Sequence, residues 1–487
     1  MDLSFLKLLG GRAAGSRTLS TAISDAIENG QLLKGDRMPS SRELALFLGI
    51  ARATVVTAYD ELINNGYLIG ERGSGTYVSD KGSKVDSAIF GESKDRFDWL
   101  ALGNDQTRLL RQVPEQLNIL GNWDPLNHGA LPADLLPTKQ WRKVIANQIS
   151  EEATTMPHHY VDMLGYLQLR ENIAVFLRRT QGIVCDPEQV VIFSSNQSAL
   201  NHLFSLLVSP GDVAVCENPC YAGVREQFRL KGASVLTVPI DSDGIMTEFL
   251  PHKSEKNKFL YLTASHQDPT GATLSLERRH KVLEWAQENN TCIIEDAWDT
   301  DFHYAGAPAP ALMSLDKQGR VVYLYTFWKT LFPLVSTACL ILPKELVPLF
   351  RAAKYVFDVP IPLIEHLALA EFIGDGELER HIRKVWKILR KRRLLLMHEM
   401  TRRFGSSVRI FAGGAGLHLV AKFSETLSID AIYAAADESR VPLTSTFECY
   451  ESGAPPNEFM VNFASIPEDE IASRVEEFGK KLALALA

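Results

Sequence analysis

Lys329 is the one charged residue within a long apolar stretch, and such a position suits amine chemistry. The flanking runs, 321–327 and 334–342, have the β-branched and aromatic composition of buried strands. An ammonium group among buried strands loses hydration, so its pKa falls unless a carboxylate or a phosphate pairs with it. A lysine with a lowered pKa is the nucleophile that forms a Schiff base with an aldehyde. The alternative is an exposed lysine in an ordinary turn between two strands.

An acid and an aromatic residue follow two other predicted strands. Asp296 comes at the end of the apolar run 291–294, and its carboxylate could hold a ring nitrogen protonated so that the ring accepts electrons. Tyr221 follows the run 213–215 and could stack on such a ring. Taken alone, an acid in a turn or a packed tyrosine would explain each of them.

Two further strand ends carry polar groups. Ser194, Ser195 and Asn196 follow the run 190–193 and open a helix, where hydroxyls and free backbone amides can face a phosphate. The turn SHQDPTG at 265–271, which contains Asp268, follows a fourth strand. Lysine, acid, aromatic and phosphate cradle, each at a strand end, together predict a binding site more sharply than any one of them does.

The elements that position these groups alternate between strand and helix from residue 122 onward. This order predicts an α/β domain with a mostly parallel wound sheet, which binds ligands at the carboxyl ends of its strands. A smaller α+β part follows, with a basic helix at 377–403 and later strands at 417–423 and 459–463.

The N-terminal segment has a different order. Three short helical patterns, at 16–29, 41–48 and 52–65, precede two short strands at 67–70 and 75–78. This is the order of a winged helix-turn-helix, in which the third helix reads the major groove. A small helical cap packed on the larger domain is the alternative.

Six residues are the candidates for DNA contacts. The first turn of the third helix presents side chains to base edges, the start of the second helix presents a cation to a phosphate, and the glycine-rich wing presents amides. Arg52 and Thr54 lie in the first turn of the third helix, and Arg42 lies at the start of the second helix. The wing contains Arg72, Gly73 and Gly75.

Composition narrows the class of protein. The chain of 487 residues is too long for one core, and its net charge of −8 gives no general attraction to nucleic acid. Residues 1–78 hold eight basic and eight acidic side chains, so the negative charge belongs to the remainder. No apolar run reaches the roughly 18 residues of a membrane helix, and no secretory signal opens the chain. Six dispersed cysteines are typical of free thiols, no metal site is predicted, and we expect a cytoplasmic protein.

The N-terminal motifs resemble the GntR-type winged-helix domain. They recur in the family's order and spacing, and they are PSSRELA at 39–45, ARATV at 51–55, AYDEL at 58–62, GY at 66–67 and GSGT at 73–76. Ala51 departs from the pattern, because a serine is common there, and it removes a possible helix cap.

The remainder resembles a fold-type I aminotransferase, and the whole chain looks like the MocR subfamily of GntR regulators. The supporting stretches are 265–271, 275–279, 294–296, 302–304, 326–333 and 381–383. The resemblance implies pyridoxal 5′-phosphate as cofactor, with Lys329 as the Schiff-base lysine, Asp296 at the pyridine nitrogen and Tyr221 as the stacking aromatic. It also implies a bacterial, head-to-tail homodimer that binds promoter DNA and senses a small effector, such as an amine or an amino acid.

Several pocket positions depart from that pattern. Trp298 and Trp328 replace a tyrosine and a serine, Ser336 replaces a phosphate-binding arginine, and Ser195 replaces a small glycine. Met460 stands where a transaminase would carry the arginine that binds the substrate carboxylate.

These replacements weaken the case for catalysis. A lost guanidinium–phosphate contact costs roughly 1.5–3 kcal/mol, or about one to two decades of affinity. Two added indoles, Trp298 and Trp328, fill space that a substrate would use. Asp268 is a further position at which the pocket departs from the family pattern. We therefore expect weak or altered cofactor binding and little transamination.

The predicted organisation has three parts: a winged helix at 1–78, a linker at 79–121 and an aminotransferase-like domain at 122–487, with its large part at 122–370 and its small part at 371–487. The predicted function is a transcriptional regulator whose aminotransferase-like domain senses an effector and dimerises. One alternative is a working pyridoxal-phosphate enzyme with an attached DNA-binding module. Another is a degenerate scaffold that is regulated by partner proteins.

Overall fold

The computed structural model describes residues 15–29, 31–71, 75–79, 104–110, 129–149, 162–304, 309–358, 363–411 and 414–484. The chain divides into two compact units, Met1–Leu102 and Gly103–Ala487. Two of the predicted DNA-binding residues, Arg72 and Gly73, lie outside the described residues, as do 80–103 and 111–121 of the predicted linker.

The first unit is a winged helix-turn-helix, as the sequence predicts. Its sheet has the antiparallel order β1-β3-β2, and a small apolar core joins it to the helices. Its elements are α1 (Ser16–Glu28), β1 (Arg37–Met38), α2 (Ser41–Leu48), α3 (Arg52–Asn64), β2 (Leu68–Glu71) and β3 (Gly75–Val78). Strand β1 is the element that sequence reasoning missed, because two residues carry no periodic signal.

Helix boundaries in this unit follow from its capping residues. Ser40 and Glu43 form a reciprocal capping box at the start of α2, and Gly49 ends that helix in the left-handed conformation. Helix α3 begins after Ala51, which provides no side-chain hydrogen bond to the first turn, in agreement with the departure noted in the sequence. Gly49 leads into the turn that sets α3 across α2.

The second unit is built on an eight-stranded sheet with the order β4-β11-β10-β9-β8-β5-β6-β7. The four central pairings from β10 to β6 are parallel, and the pairings at both edges are antiparallel. The strands are β4 (Val190–Phe193), β5 (Val213–Asn218), β6 (Ser234–Asp241), β7 (Gly244–Ile245), β8 (Asn257–Leu262), β9 (Cys292–Ala297), β10 (Val321–Thr326) and β11 (Ala338–Ile341). The predicted α/β class is therefore confirmed.

Helices cover this sheet, and a smaller four-stranded sheet follows it. The helices are α4 (Asp105–Leu110), α5 (Thr138–Gln148), α6 (Leu167–Gln181), α7 (Asn196–Leu207), α8 (Ala222–Leu230), α9 (Leu276–Asn289), α10 (Leu312–Leu315), α11 (Trp328–Leu331), α12 (Val347–Phe357), α13 (Leu363–Gly374), α14 (Glu377–Phe404), α15 (Ile429–Glu438) and α16 (Ile471–Leu484). The smaller sheet is antiparallel in the order β12-β13-β15-β14, formed by β12 (Val408–Phe411), β13 (His418–Phe423), β14 (Leu443–Ser445) and β15 (Glu458–Asn462).

Two local predictions need correction. Lys329 does not lie in a simple turn between strands, because Trp328–Leu331 form the short helix α11 between β10 and β11. Asp296 does not follow its strand, because β9 continues through Ala297 and includes Asp296 as its penultimate residue. In both cases apolar composition alone set the predicted ends, and buried polar residues can continue an element beyond its apolar run.

All six cysteines are free thiols, as expected from their positions in apolar runs. None of the helices in the described part of the chain has the length and the apolar character needed to span a bilayer.

Candidate functional site

Lys329 is buried and lies against two indole rings. Its side chain is 6% exposed, and Nζ lies 4.3 Å from the ring centroid of Trp298 and 5.0 Å from that of Trp328. Gly129, at a φ of +83°, closes a third side: a Cβ there would lie 2.7 Å from Nζ. The amine is therefore enclosed by aromatic faces and by backbone, which strengthens its interaction with the rings.

Two carboxylates, those of Asp299 and Asp268, also act on this amine. Burial lowers the pKa of Lys329, and the negative charges of Asp299 and Asp268 offset part of that effect. Both carboxylates are brought in by turns that follow strands, and Asp299 comes three residues after Asp296. The result is an amine that loses its proton more readily than a solvated lysine does.

Asp268 and Asp296 are the two carboxyl groups with raised pKa values in this pocket. Burial raises the pKa of Asp268 to about 6, although the positive charges of Lys329 and His266 oppose it. Burial also raises the pKa of Asp296 to about 7, against a 2.6 Å hydrogen bond that Tyr261 Oη donates to Oδ2. The other oxygen of Asp296, Oδ1, is buried and has no hydrogen-bond partner among the described residues. The nearby backbone amide of Trp298 also acts to lower the pKa of Asp296, and Oδ1 retains acceptor capacity in the pocket.

Two histidines, both missed as site residues, complete the wall around Trp298. The rings of His266 and His418 lie 5.6 Å and 6.1 Å from the indole, nearly parallel to it. Burial lowers the pKa of His418 to about 4, so this ring is neutral, and its Nε2 donates to the carbonyl of Pro269 at 2.7 Å. The stack holds the Trp298 indole against Lys329.

His266 also balances the charge of Asp299. Its Nδ1 lies 3.5 Å from Asp299 Oδ2, which is an ion-pair distance and longer than a good hydrogen bond. Burial acts to raise the pKa of Asp299, but His266 and the positive charge of Lys329 hold it below its ordinary value. Asp299 therefore remains ionised beside the amine.

Tyr221 belongs to the same pocket. Gln197, in the first turn of α7, donates its side-chain amide to Tyr221 Oη. Burial raises the pKa of Tyr221 to about 12, and the charges of Asp268 and Asp296 act in the same direction. The structure thus brings together Lys329, Asp296, Asp268 and Tyr221, which are distant in sequence.

The predicted phosphate cradle lies at the start of α7. Ser195 is the N-cap residue, and its hydroxyl accepts from the backbone amide of Ser198 at 3.1 Å. Ser336, in the segment before β11, donates its hydroxyl to the carbonyl of Ser194 at 2.7 Å. Asn196 is the first residue of the helix. The hydroxyls of Ser195 and Ser336 are both hydrogen-bonded to backbone groups.

Met460 lies in the smaller sheet on strand β15. It pairs with Val420 on β13 and with Thr444 on β14. Side chains two residues apart on a strand share a face, so Met460 is on the same face of the sheet as His418. Met460 therefore places an uncharged thioether at the position where the resemblance to transaminases predicts a guanidinium.

Four of the candidate DNA-binding residues, Arg42, Arg52, Thr54 and Gly75, lie among the described residues. Arg42 and Arg52 are exposed, Thr54 is half-buried, and Arg52 Nε donates to Ser41 Oγ at 3.3 Å. Gly75 has a φ of +130°, and a Cβ there would lie 3.1 Å from the guanidinium of Arg37.

Sequence reasoning missed three exposed residues near those positions. Val56 and Thr57 lie on the outer face of α3 together with Arg52, and Arg37 lies beside the wing. The first two follow from helical periodicity once Val55 and Ala58 are assigned to the buried face.

The fold and the pocket define a class of protein: an aminotransferase-like unit joined to an N-terminal winged helix. The family Aminotransferase class I and II matches residues 125–476, and the family of bacterial regulatory proteins named gntR matches residues 16–78. The chain belongs to the aminotransferase class I and II family and, through its gntR domain, to the DNA-binding regulators of the GntR/MocR type.

Similar proteins support this assignment along the whole chain. A probable rhizopine catabolism regulatory protein, MocR, from Rhizobium meliloti is 29% identical over 88% of this chain and 87% of its own length. The HTH-type transcriptional regulator TauR from Rhodobacter capsulatus is 31% identical over 80% of each chain. Among solved structures, LysN, an α-aminoadipate aminotransferase from Thermus thermophilus, is 24% identical over 80% of this chain and 100% of that chain, with a TM-score of 0.69. That structural likeness concerns the fold.

Pyridoxal 5′-phosphate is the cofactor that this fold implies, and the pocket fits its two ends unequally. The ring end has a buried amine in Lys329 and an unpartnered acceptor in Asp296 Oδ1. At the phosphate end, the groups found in the described part of the chain are the neutral hydroxyls of Ser195 and Ser336, both bonded to backbone. The donor set therefore suits the aldehyde-bearing ring better than the phosphate.

Proposed function

We propose that this protein is a bacterial, cytoplasmic transcriptional regulator whose aminotransferase-like unit binds a vitamin B6 aldehyde, pyridoxal 5′-phosphate or a close relative, and reads out its state to the DNA-binding unit. The observation that carries the proposal is the buried amine of Lys329 beside buried carboxylates, in a chain that also has a winged helix. The location follows from the target, because promoter DNA is in the cytoplasm of a bacterium.

The residues of the pocket have separable parts in ligand binding. When bound, the aldehyde cofactor supplies an electrophilic carbonyl and an electron-accepting ring. Lys329, with its lowered pKa, provides the unprotonated amine that can attack a carbonyl. Asp296 Oδ1 accepts a hydrogen bond from a protonated ring nitrogen, and Tyr221 covers a ring face.

Sensing is favoured over turnover by the uncharged residue at Met460 and by the two indoles. An amino-acid substrate is normally held by a guanidinium on its carboxylate, and a thioether provides no such bond. Trp298 and Trp328 occupy the space beside the amine, and Trp298 Nε1 is already bonded to the carbonyl of His266 at 3.0 Å. A small amine or amino acid would act as an effector by changing the occupancy of Lys329, which shifts the equilibrium between two states of the regulator.

Reductive trapping tests the pocket. Pyridoxal 5′-phosphate is added to the full-length protein, borohydride is added, and the site of the adduct is read by peptide mass spectrometry. We expect one adduct, on Lys329, and none there in Lys329→Arg, because the guanidinium is not nucleophilic. Exposed Lys281, which is paired only with Glu277 on the surface, is the internal control for nonspecific labelling. Labelling of Lys281 without Lys329 would refute the assignment.

One further measurement distinguishes the regulator from the competing function, a working transaminase. Conversion of many equivalents of an amino donor by the unreduced, cofactor-loaded protein would favour the enzyme. A single stoichiometric change that alters DNA affinity favours the regulator.

Binding to promoter DNA would be carried by α3. Arg52 lies in its first turn, and the neighbouring Val56 and Thr57 add methyl groups that suit thymine. Arg52→Ala should relax sequence preference at one base position and cost about 1–3 kcal/mol at the preferred base. Arg42→Ala is the matched control, because a phosphate contact should weaken binding uniformly and lower the salt slope by about one. Gel-shift selection on the upstream region measures both, and an unchanged preference in Arg52→Ala would remove α3 as the reading helix.

A homodimer would form through the apolar face of α12. Leu349, Tyr355, Val356 and Phe357 are 42%, 75%, 71% and 59% exposed. Tyr355 and Val356 line a groove of about 650 Å³. Arg351, which bridges Asp162 and Glu188, lies at the side of this groove. An apolar centre with a charged rim is the usual composition of a protein interface, and the second copy of this chain is the occupant that the resemblance to dimeric regulators favours.

A further inference from the structure

We infer that the pocket does not distinguish a phosphorylated from an unphosphorylated vitamin B6 aldehyde, so that pyridoxal itself is a full ligand of this regulator. The inference rests on the proposed function, because it requires that Lys329 takes an aldehyde. It adds the class of ligand: recognition lies in the ring and the carbonyl, and the phosphate contributes little.

The hydroxyls of the cradle are already engaged. Ser195 Oγ accepts from the amide of Ser198 at 3.1 Å, so it caps its own helix. Ser336 Oγ donates its single proton to the carbonyl of Ser194 at 2.7 Å. A phosphate that recruited Ser336 would break its bond to Ser194, and that exchange would gain little free energy. Ser195 can still donate its own proton while it accepts from Ser198, but it is a neutral donor.

The nearest side-chain amide of α7 is engaged as well. Gln197 donates to Tyr221 Oη, and its carbonyl oxygen accepts from the amide of Gln227. Turning Gln197 toward a phosphate would release the tyrosine that covers the ring. What remains at this helix start is a small number of neutral backbone amides.

Charge near the pocket also disfavours a phosphate dianion. Asp296 and Asp299 are buried there and Asp268 is half-buried, beside the ammonium of Lys329. Among the described residues, no hydrogen bond or ion pair joins an arginine or lysine side chain to Ser194, Ser195 or Asn196. A charge-assisted bond to phosphate is worth roughly twice a neutral one, and this site has only neutral donors.

One buried ammonium does lie at the end of β4. Lys354 Nζ is 4.4 Å from the ring centroid of Phe193, the residue before Ser194. Its charge is paired with Asp358 at 2.9 Å. Lys354 is therefore committed to a neighbour and leaves the cradle without a free positive charge from this helix.

The ring end has the opposite character. Lys329 is enclosed, its pKa is lowered by burial, and it lies beside Asp268. Asp296 Oδ1 is buried without a partner, so a protonated ring nitrogen would satisfy an acceptor that costs free energy when it is left alone. These contacts are the same for pyridoxal and for its phosphate ester.

The experiment compares two probes, pyridoxal and pyridoxal 5′-phosphate, on the full-length protein. Quenching of tryptophan fluorescence gives each dissociation constant, and borohydride trapping with peptide mass spectrometry verifies that both report on Lys329. We expect the two constants to differ by less than about tenfold, which corresponds to about 1.4 kcal/mol. We also expect the affinity for the phosphate ester to change little with ionic strength.

Ser336→Arg supplies the gain-of-function arm. A guanidinium at this position should tighten pyridoxal 5′-phosphate by about ten- to a hundredfold and leave pyridoxal unchanged. Ser336→Met is the matched control of similar length without charge, and it should change neither constant in favour of the phosphate ester.

The outcomes separate the inference from the proposed function. If both aldehydes label Lys329 but the wild-type protein binds the phosphate ester more than about tenfold tighter, the inference fails and the proposed function stands. If neither aldehyde labels Lys329, the proposed function fails. If Ser336→Arg does not fold, the wild-type ratio and its salt dependence still decide the question.

Discussion

At the scale of the residue, the pocket keeps carboxyl groups in an environment where ionisation is costly. Asp296 is 4% exposed and has one oxygen without a partner, and burial raises its pKa to about 7. Burying this carboxyl group lowers the stability of the unliganded fold, and the same group can accept a hydrogen bond from a ligand. Such a residue is expected at a functional site, where stability and function oppose each other.

Asp296→Asn should therefore stabilise the protein and weaken its ligand. The folded-state pKa of Asp296 lies above its unfolded value, so its contribution to stability is present at low pH and is lost as the pH rises from about 4 to about 7. The variant keeps an acceptor for Tyr261, and its gain in the free energy of unfolding should grow across that window, to at most about 4 kcal/mol. Denaturant unfolding at a series of pH values measures it.

Asp241→Asn is the matched control with the opposite sign. The hydrogen bond from Arg278 holds the pKa of Asp241 below its ordinary value. Its loss should cost stability at neutral pH, and that cost should vanish as the pH falls through the acid range. Parallel pH profiles for the two variants would contradict the account of Asp296.

The sequence predicted some of these residues and could not predict others. Lys329 and Asp296 were predictable because a single charge in an apolar run is unusual and has a chemical reason. Asp299, His418 and Gly129 were not, because each is an ordinary turn or strand residue until the fold places it beside Lys329. Met460 was singled out only through the resemblance, and its place on β15 adds that it shares a face with His418.

At the scale of the element, the two helices of the DNA-reading motif differ in how they begin. Helix α2 has the full capping box of Ser40 and Glu43, whereas Ala51 leaves the first turn of α3 without a side-chain acceptor. The amide of Thr54 donates to the carbonyl of Ala51 at 3.0 Å, and residue 51 offers no side-chain acceptor to the other amides of that turn. An uncapped start at the reading helix lowers local stability where binding would restore it.

Ala51→Ser should stabilise α3 by about 1 kcal/mol, and Ser40→Ala should destabilise α2 by about 0.5–2 kcal/mol. The serine hydroxyl would accept from the amide two or three residues on, as Ser40 does for Glu43 at 3.3 Å. Native-state hydrogen exchange on peptides from the first unit measures both changes. Equal protection in wild type and Ala51→Ser would mean that another group already caps α3.

Elements were easier to predict than their ends. The sequence marks both ends of helix α9, because a serine cap precedes Leu276 and two asparagines, Asn289 and Asn290, stand at its end. By contrast, β9 and β10 ended elsewhere than predicted, and the two-residue strand β1 went unseen. Buried polar side chains such as Glu295 and Asp296 extend a strand because partners across the sheet satisfy its backbone.

At the scale of the whole molecule, the two compact units divide the work of a regulator. The first unit presents cations and methyl groups on a short helix. The second unit encloses the amine of Lys329 on helix α11, between two strands of the large sheet. Communication between them requires that the ligand bind two states of the second unit with different affinity. A dimer would multiply that difference, because two reading helices on one operator gain from a fixed spacing.

The last prediction concerns the proposed dimer. Tyr355 is 75% exposed at the centre of the apolar face of α12, so Tyr355→Glu would place a charge in the interface, where it has no partner. We expect sedimentation equilibrium to show a dimer for the wild-type protein and a monomer for this variant. Val184→Glu is the control, because Val184 is equally exposed, at 79%, but lies outside α12. The monomeric variant should keep its Lys329 adduct and lose affinity for a two-site operator. A Tyr355→Glu protein that remains dimeric would place the interface on another surface.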